Sequence, residues 1–389
     1  MNEKLTAWWA HRQGLDAHRY PTSAEALAAT GWSRSVGGCT PYLALRSRTG
    51  AGRAGVDGDV AAAHIHELPA VRGCTYVVPA QDFGLALRAA RGKGEPAELV
   101  TARKHCGVTD AEIEKAQIAV LDALRSGPLS PEELRTAVGG AVRNLGEVGK
   151  KRGMTTTLPV VLGLLQGVGR IRRVPVNGRL DQQRYRYMRW DPPPTCDLSL
   201  EEVHRELARR FFAWAGPATV AQFYAWSALS KRDATTAVQP LRLAEVEGGL
   251  LMPDLVDEWH GFRPPSEPRY ALVGSLDNAT HLHRDIGELL EPGDADRAVW
   301  GEKGTLRLGG MSDLNHHAIL DRGRLMGFWE YDKAARRVVW STFSPPPTAL
   351  KTDISRLEAY IREDLEDART FSLDSPESRA PRLEALTAR

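Results

Sequence analysis

The sequence 149-GKKRGMTTTLPVVLGLLQGVGRIRRVPVNGRLDQQRYRYMR-189 places a basic cluster and a threonine-rich turn before an apolar run and two basic segments. The apolar run predicts a helix over about Thr157–Gly167, and the basic segments predict strands at Arg170–Val174 and Arg184–Trp190. An Asn-Gly pair between these strands is a strong hairpin signal, although the loop is longer than two residues. A helix followed by a basic hairpin is typical of a winged helix-turn-helix unit, in which a recognition helix and a wing meet DNA.

Positive charge is concentrated in this part of the chain. The whole protein has a net charge of only +2, but between Val142 and Arg189 eleven Lys or Arg residues stand against two carboxylates. A solvated face normally mixes both signs, whereas a cluster of one sign attracts a polyanion. Threonine hydroxyls and a helix N-terminus also suit a phosphate group. The predicted phosphate-binding residues of this segment are Lys150, Lys151, Arg152, Thr155, Thr156, Arg170, Arg172 and Arg173.

Double-stranded DNA, intact or damaged, is the partner that these features favour. The chain lacks the aromatic sheet motif with which RNA-recognition domains stack single-stranded bases. Winged helices also serve as protein-interaction modules, and that alternative stays open on the sequence alone.

Helices followed by strands recur along the chain, and the sequence predicts an α+β protein of three tandem winged helix-turn-helix units and a small C-terminal β-barrel. The three predicted units cover residues 1–100, 101–193 (with the basic wing) and 194–242. The predicted barrel covers residues 243–346 and can share strands with the third unit. Residues 347–389 are predicted to form a C-terminal helix and tail. A helix is expected from about Asp57 to Glu67, and residues 375–389 are expected to form a frayed tail.

Composition points to an ordinary soluble globular protein. The chain has 389 residues, of which 42% are hydrophobic and 26% charged, so a core can form without covalent links. The four cysteines (Cys39, Cys74, Cys106 and Cys196) form no C-x-x-C pair, which argues against a zinc ribbon or a disulfide framework and favours free thiols. No apolar run approaches 18 residues and the start lacks a signal-peptide core, so we expect no membrane association and a location in the cytoplasm, at the nucleoid. We also expect a monomer without a cofactor.

Five stretches carry a family resemblance. They are 67-ELPAVRGCTYVVPAQDF-83, 154-MTTTLPVVLGLLQGVGRI-171, 211-FFAWAGPATVAQFYAWSAL-229, 275-SLDNATHLHRD-285 and 318-AILDRGRLMGFWEYD-332. In this order they resemble the bacterial winged-helix family of AlkZ- and YcaQ-like DNA glycosylases, through nearly the whole chain. The resemblance implies three winged-helix units and a β-barrel that together form a C-shaped channel of the size of a DNA duplex.

The resemblance also implies an activity. Enzymes of this family are monofunctional glycosylases that hydrolyse the N-glycosidic bond of alkylated or bulky purine adducts, in base excision repair or in self-resistance to a genotoxin or antibiotic. Such a reaction needs a polar group or carboxylate beside the sugar, because the sugar develops oxocarbenium character and water must be positioned. The target base is commonly flipped out of the duplex.

The chain departs from the family at the motif that matters most for catalysis. The enzymes carry a Gln-aliphatic-Gln or Gln-aliphatic-Asp motif before the helix that matches Pro41–Arg48, but this region reads 32-WSRSVGGCTPYLALRSR-48. We therefore take Ser35, Asp277 and Asn278 as candidate catalytic residues. The alternatives are a plain turn at 35–39 and an Asx-turn at Asp277. A non-catalytic DNA-binding protein or transcriptional regulator is the rival function.

Three other predictions concern single side chains. Trp32, beside the altered motif, is predicted to stack on a flipped or modified base, and a core position is the alternative. His281 and His283 are expected to line a polar surface rather than to bind metal. Arg72 is predicted to contact a phosphate, with a salt bridge to Glu67 as the alternative.

Overall fold

The N-terminal region surrounds a small antiparallel sheet with helices. The computed structural model describes residues 3–16, 19–92, 94–182 and 184–387. The helices of this region are α1 (Glu3–Arg12), α2 (Ser23–Thr30), α3 (Thr40–Thr49), α4 (Arg53–Ala61) and α5 (Phe83–Arg91). The strands are β1 (Ser33–Arg34), β2 (Ile65–Pro69) and β3 (Thr75–Pro79), and β3 lies between the other two.

The predicted helix from Asp57 to Glu67 is wrong in its second half. Helix α4 ends at Ala61, and Ala63 has a φ of 57°, a left-handed conformation that stops the helix. The chain then enters β2, where four consecutive buried residues pair with β3. Pairing with a neighbouring strand therefore overrides the local sequence pattern here.

The second region places helices before a two-stranded antiparallel sheet. Its helices are α6 (Ala97–Cys106), α7 (Asp110–Ala123), α8 (Pro131–Val138), α9 (Gly146–Lys150) and α10 (Leu158–Gly167), and its strands are β4 (Ile171–Pro175) and β5 (Tyr185–Arg189). The Ser130 hydroxyl caps α8 by accepting from the Glu133 N–H, and the Ser130 N–H donates to the Glu133 carboxylate, which completes a capping box. We call β4, β5 and the connecting residues 176–184 the wing.

A third set of helices ends in a short hairpin. The helices are α11 (Leu200–Ala215), α12 (Val220–Ser227) and α13 (Lys231–Val238), and the strands are β6 (Ala244–Val246) and β7 (Gly249–Leu251). Ser199 caps α11 through a capping box with Glu202. A short helix, α14 (Val256–Gly261), follows.

The predicted β-barrel is an open antiparallel sheet instead. The remaining strands and the helices beside them are β8 (Tyr270–Val273), α15 (Asn278–His281), β9 (Ala298–Val299), β10 (Leu306–Arg307), β11 (His317–Asp321), β12 (Arg324–Asp332), β13 (Arg337–Thr342) and α16 (Thr348–Tyr360). The sheet order is β13-β12-β11-β8, and β9 pairs only with β10. Helix α16 packs against both edge strands, β8 and β13, and within the described ranges these two strands do not pair with each other.

The chain end is a helix and not the predicted frayed tail. Helix α16 continues as a turn of π-helix over Ile361–Leu365, and α17 covers Pro376–Thr387. Arg379 and Arg382 are buried in α17, and they form ion pairs with Asp367 and Asp374 respectively. The polar composition that suggested fraying is therefore satisfied internally.

Shared cores hold the regions together. Trp32 and Tyr76 of the first region share one core with Phe211 and Trp226 of the third. A second core joins α2, α3 and α4 to β11, β12 and α16. The second region has a core of its own between Leu99 and Ile171. Across the described ranges, no helix combines the length and apolarity that a bilayer crossing requires.

Candidate functional site

Three consecutive cations, Lys150, Lys151 and Arg152, lie exposed at the end of α9, and we call them the basic turn. The turn is tight because Gly153 has a φ of 75° and a Cβ on Gly149 would lie 2.3 Å from the Met154 carbonyl oxygen. The basic turn is therefore held in place by backbone geometry while its side chains face solvent.

Few interactions within the protein occupy these cations. Lys150 forms an exposed ion pair of 2.8 Å with Glu147, and a guanidinium nitrogen of Arg152 lies 3.2 Å from His105 Nδ1. Exposed ion pairs of this kind contribute little and are readily exchanged for other anions. The basic turn is thus available to a polyanion.

The threonines lie between the basic turn and α10. Thr155 is exposed and Thr156 is half-buried, so both hydroxyls are placed near the N-terminus of that helix. The Leu145 backbone N–H donates to the Thr155 carbonyl over 2.9 Å and fixes this segment. The predicted phosphate contacts by Thr155 and Thr156 are compatible with these positions.

The three arginines predicted to bind phosphate in and just before β4 differ from one another. Arg170 is exposed, as a phosphate contact requires. Arg172 and Arg173 are half-buried against aromatic rings, 5.8 Å from the Trp190 centroid and 4.8 Å from the Tyr185 centroid. Burial lowers the pKa of Arg172. These two side chains pack on aromatic rings while remaining partly exposed, and their predicted phosphate contacts stay predictions.

Arg72 lies in the turn between β2 and β3, not at the start of a strand. Its φ is 63°, and its guanidinium donates to the Ala225 carbonyl oxygen over 3.0 Å while remaining exposed. The alternative salt bridge to Glu67 does not form, because Glu67 faces Ser35. The predicted phosphate contact by Arg72 stays a prediction.

Residues 33–40, which we call the motif loop, are covered by the C-terminal segment. The Cys39 N–H donates to the Arg369 carbonyl over 2.9 Å, and the Ser372 N–H donates to the Val36 carbonyl over 3.2 Å. A Cβ at Gly38 would lie 1.9 Å from the Thr370 carbonyl oxygen. Close packing of backbone against backbone therefore requires glycine here.

Ser35 is buried within this loop, with 1% of its surface exposed. Its hydroxyl donates a 2.5 Å hydrogen bond to Glu67 Oε1. Thus the Ser35 hydroxyl does not face solvent, and it can influence a reaction only through its hydrogen bond to Glu67.

Asp277 and Asn278 have structural roles, which corrects their assignment as catalytic residues. Both oxygens of Asp277 accept from Arg48, at 2.8 and 2.9 Å, and one also caps α15 through the Ala279 N–H. The Asn278 amide donates to the Thr30 carbonyl over 3.0 Å. The Asp277 charge is already paired with Arg48, and the Asn278 amide is turned to a backbone carbonyl, so these contacts rather than burial alone indicate structural roles.

Trp32 is a core residue, which corrects the predicted base-stacking role. It is 1% exposed, and its Nε1 donates to Asp82 Oδ2 over 2.7 Å. Its ring packs edge-on against Trp214 at 5.7 Å. A flipped base has no access to this ring.

His281 and His283 point to different partners. His281 Nδ1 lies 2.7 Å from Asp313 Oδ1, whereas His283 Nε2 lies 2.8 Å from the Ala215 carbonyl oxygen. Both are buried, so the expected polar surface is wrong for them. In the part of the chain that the structure describes, no group of three or more His, Cys, Asp or Glu side chains is arranged to hold a metal ion.

Glu67 is the residue that sequence reasoning overlooked. Its carboxylate lies between Ser35 of the motif loop and Tyr185 of the wing. Burial, together with the charge and hydrogen bonding of Glu67, raises the pKa of Tyr185. No local pattern announces this cluster, since it depends on how β2 meets β5.

The neighbouring His66 gives a testable pH effect. Burial, and then the positive charges of Arg172 and Arg173, lower its pKa from 6.5 to about 3. The unfolded chain therefore binds one more proton between these values, so the stability that neutral His66 contributes is complete above pH 6.5 and decreases as the pH falls. We expect the free energy of unfolding of His66→Phe to fall less steeply with decreasing pH than that of the wild type, by up to about 1.4 kcal/mol per pH unit.

Urea unfolding of both proteins at pH 8, 6 and 5 measures this effect. The comparison at pH 8, where histidine is neutral in both states, isolates any packing change from the substitution. Parallel stability curves for the two proteins from pH 8 to pH 5 would show that His66 titrates normally in the folded state.

The structure thus brings some predicted residues together and separates others. The motif loop adjoins the segment before α15, since a Cβ at Gly274 would lie 3.4 Å from the Thr40 hydroxyl. It also adjoins the wing through Glu67 and Tyr185. Asp277 and Asn278 are close by but turned into the core.

The fold resembles that of a known enzyme. The structure of the Streptomyces sahachiroi DNA glycosylase AlkZ superposes with a TM-score of 0.67 and 18% sequence identity, over 95% of this chain and 98% of that one. No curated protein matches the chain significantly in sequence. A sequence model of the DNA glycosylase AlkZ-like family matches residues 38–371, most of the chain. The protein therefore belongs to the AlkZ-like DNA glycosylase family.

Proposed function

We propose that the protein is a monofunctional DNA glycosylase that acts on alkylated double-stranded DNA. The observation that carries this proposal is the basic turn, with three exposed cations beside the N-terminus of α10. This surface suits the phosphates of a duplex, and it belongs to a chain of the glycosylase family.

We also propose that the duplex is held by three winged-helix units, 1–100, 101–193 and 194–242, with 243–346 and 347–389 completing a C-shaped protein. In support, the second region places α7, α8 and α10 before a two-stranded wing, and the third places α11, α12 and α13 before β6 and β7. Exposed Arg170 extends the basic turn onto the wing.

The reaction suits a substrate that already carries positive charge. A purine alkylated on a ring nitrogen leaves readily, so little acid catalysis is needed. The enzyme then has to stabilise the cationic sugar and place a water molecule. Base flipping at a cost of about a few kcal/mol gives access to the bond, and it is easiest for a damaged base.

The setting that we propose is repair or antibiotic self-resistance in the cytoplasm of a bacterium, by a monomer at the nucleoid. Expression in an alkylation-sensitive bacterial strain is expected to raise survival after exposure to an alkylating agent. Light scattering of the purified protein checks the monomer, and a doubled mass would contradict it.

One observation favours a different function. The motif loop has no glutamine or carboxylate, and Ser35 within it is buried. A protein that binds DNA without cleaving the glycosidic bond, such as a regulator, would have these properties.

A single assay separates the two functions. The purified protein is incubated with a duplex containing 7-methylguanine, and hot alkali then converts abasic sites into strand breaks. Breaks that depend on the protein support the glycosylase. Salt-sensitive binding without breaks at any lesion tested supports the non-catalytic protein, and neither binding nor breaks would overturn both.

A further inference from the structure

One buried carboxylate differs from all the others. The described ranges bury seven Asp or Glu side chains, and Glu67 alone among them has no arginine as an ion-pair partner. The six paired carboxylates are Asp82, Asp181, Asp277, Asp321, Glu330 and Asp374.

The contacts of Glu67 are neutral. Ser35 donates a 2.5 Å hydrogen bond to Oε1, and the Tyr185 hydroxyl lies against the same carboxylate. Glu67 is only 5% exposed. Hydroxyl donors hold and orient this carboxyl group, and no arginine is paired with it, so its oxygens are free of the ion pairs that fix the other six.

The position of Glu67 matches what the chemistry needs. It lies on β2, beside the motif loop where family enzymes place their polar catalytic pair, and it meets the wing of the proposed DNA-binding unit. Buried charges that no ion pair explains are concentrated at functional sites, because such an arrangement is costly for folding alone.

We propose that Glu67 is the catalytic carboxylate of this protein, held by Ser35 and Tyr185 as positioning residues. This inference rests on the proposed glycosylase function. It restores Ser35 to the site, but as a group that acts through Glu67. The loss of the glutamine pair is then compensated by a carboxylate from a neighbouring strand.

The step balances as a hydrolysis. The bond between C1′ and the purine nitrogen breaks, and its electron pair neutralises the cationic ring, so the base leaves uncharged. The oxygen of water bonds to C1′, and Glu67 accepts the proton that this water loses before passing it to solvent. Before that transfer, the negative carboxylate faces and stabilises the oxocarbenium charge.

Tyr185 controls access to the carboxylate. It is half-buried on β5 and its hydroxyl contacts Glu67, so access of the sugar to this carboxylate requires that hydroxyl to give up its contact. Catalytic contacts are often incomplete in a free enzyme and form only with substrate bound.

The test compares single-turnover release of 7-methylguanine from a duplex by wild type, Glu67→Gln and Glu67→Asp. Glu67→Gln keeps the shape and removes the charge, and we expect its rate to fall by about 10²–10³-fold. Glu67→Asp keeps the charge and withdraws it by one methylene, and we expect at least about a tenfold loss. Duplex affinity and Tm of both variants should stay near wild type.

Tyr360→Phe is the matched control. Tyr360 lies on α16, outside the motif loop, is 4% exposed, and its hydroxyl has no hydrogen-bond partner within the described residues. Its removal should leave the rate unchanged. Formate added to Glu67→Ala should restore part of the rate, which a merely structural role would not allow.

The outcomes separate this inference from the function on which it rests. An active wild type with Glu67→Gln and Glu67→Asp within threefold of its rate overturns the role of Glu67 and leaves the glycosylase standing. If Glu67→Gln fails to fold, Glu67→Asp alone decides in the same way. A wild type that releases no base from any alkylated duplex overturns both.

Discussion

Asp277→Asn is expected to lower the free energy of unfolding by about 3–5 kcal/mol, the usual result of leaving one member of a buried ion pair without its partner. Arg48 would keep its charge in a site where its side chain is only 3% exposed. The amide also replaces one of the acceptor oxygens that Arg48 now contacts at 2.8 and 2.9 Å. Chemical denaturation at neutral pH measures the loss.

Asp353→Asn is the control for this prediction. Asp353 also forms an ion pair with an arginine, Arg356, but the arginine side chain is 73% exposed and the contact is local. We expect a change below about 1 kcal/mol there. If Asp277→Asn kept full stability but lost base release, the carboxylate would act on the substrate, and the structural assignment made here would have to be abandoned.

This ion pair also shows where sequence reasoning stops. Arg48 and Asp277 are 229 positions apart, and no periodicity or spacing connects them. The Asp-Asn pair at 277–278 therefore suggested a catalytic role, whereas its partners in the fold make it structural. The same reasoning applies to Trp32, whose partner Asp82 is known only from the fold.

Sequence patterns predict structure correctly where a feature depends only on residues that are neighbours in the chain. The sequence Ser130-Pro131-Glu132-Glu133 predicts a helix cap at Ser130, and the structure has this residue as one half of a capping box. The helix–hairpin order of residues 157–190 was also confirmed, because an apolar run and alternating basic strands need only their neighbours to form.

Local signals failed where distant residues change the outcome. The C-terminal residues are polar, which argues against a packed helix. Arg379 and Arg382 form ion pairs with Asp367 and Asp374, however, and these pairs allow both arginines to be buried in a helix. Glu67 escaped notice for the same reason, since its importance comes from Ser35 and Tyr185 in two other segments.

Replacing Lys150, Lys151 and Arg152 together by alanine should flatten the salt dependence of duplex binding. Each phosphate contact contributes a slope of about 0.9 in log K against log salt, so three lost contacts reduce the slope by about 3. The affinity should decrease by a similar factor for every sequence, because phosphate contacts carry no base information. Titration of two unrelated duplexes at several salt concentrations measures both quantities.

The control removes the same charge elsewhere. Lys333, Arg337 and Lys351 are all exposed and lie outside the three proposed winged-helix units, so their triple alanine variant tests whether net charge alone matters. Electrostatic attraction by the whole protein would make the two variants equivalent, since both lose three charges. A local interface predicts a loss of slope in the first variant only, because counterions are released where side chains meet phosphates. A wild-type slope in the first variant would place the duplex on another surface and would remove the main support for DNA binding by the second region.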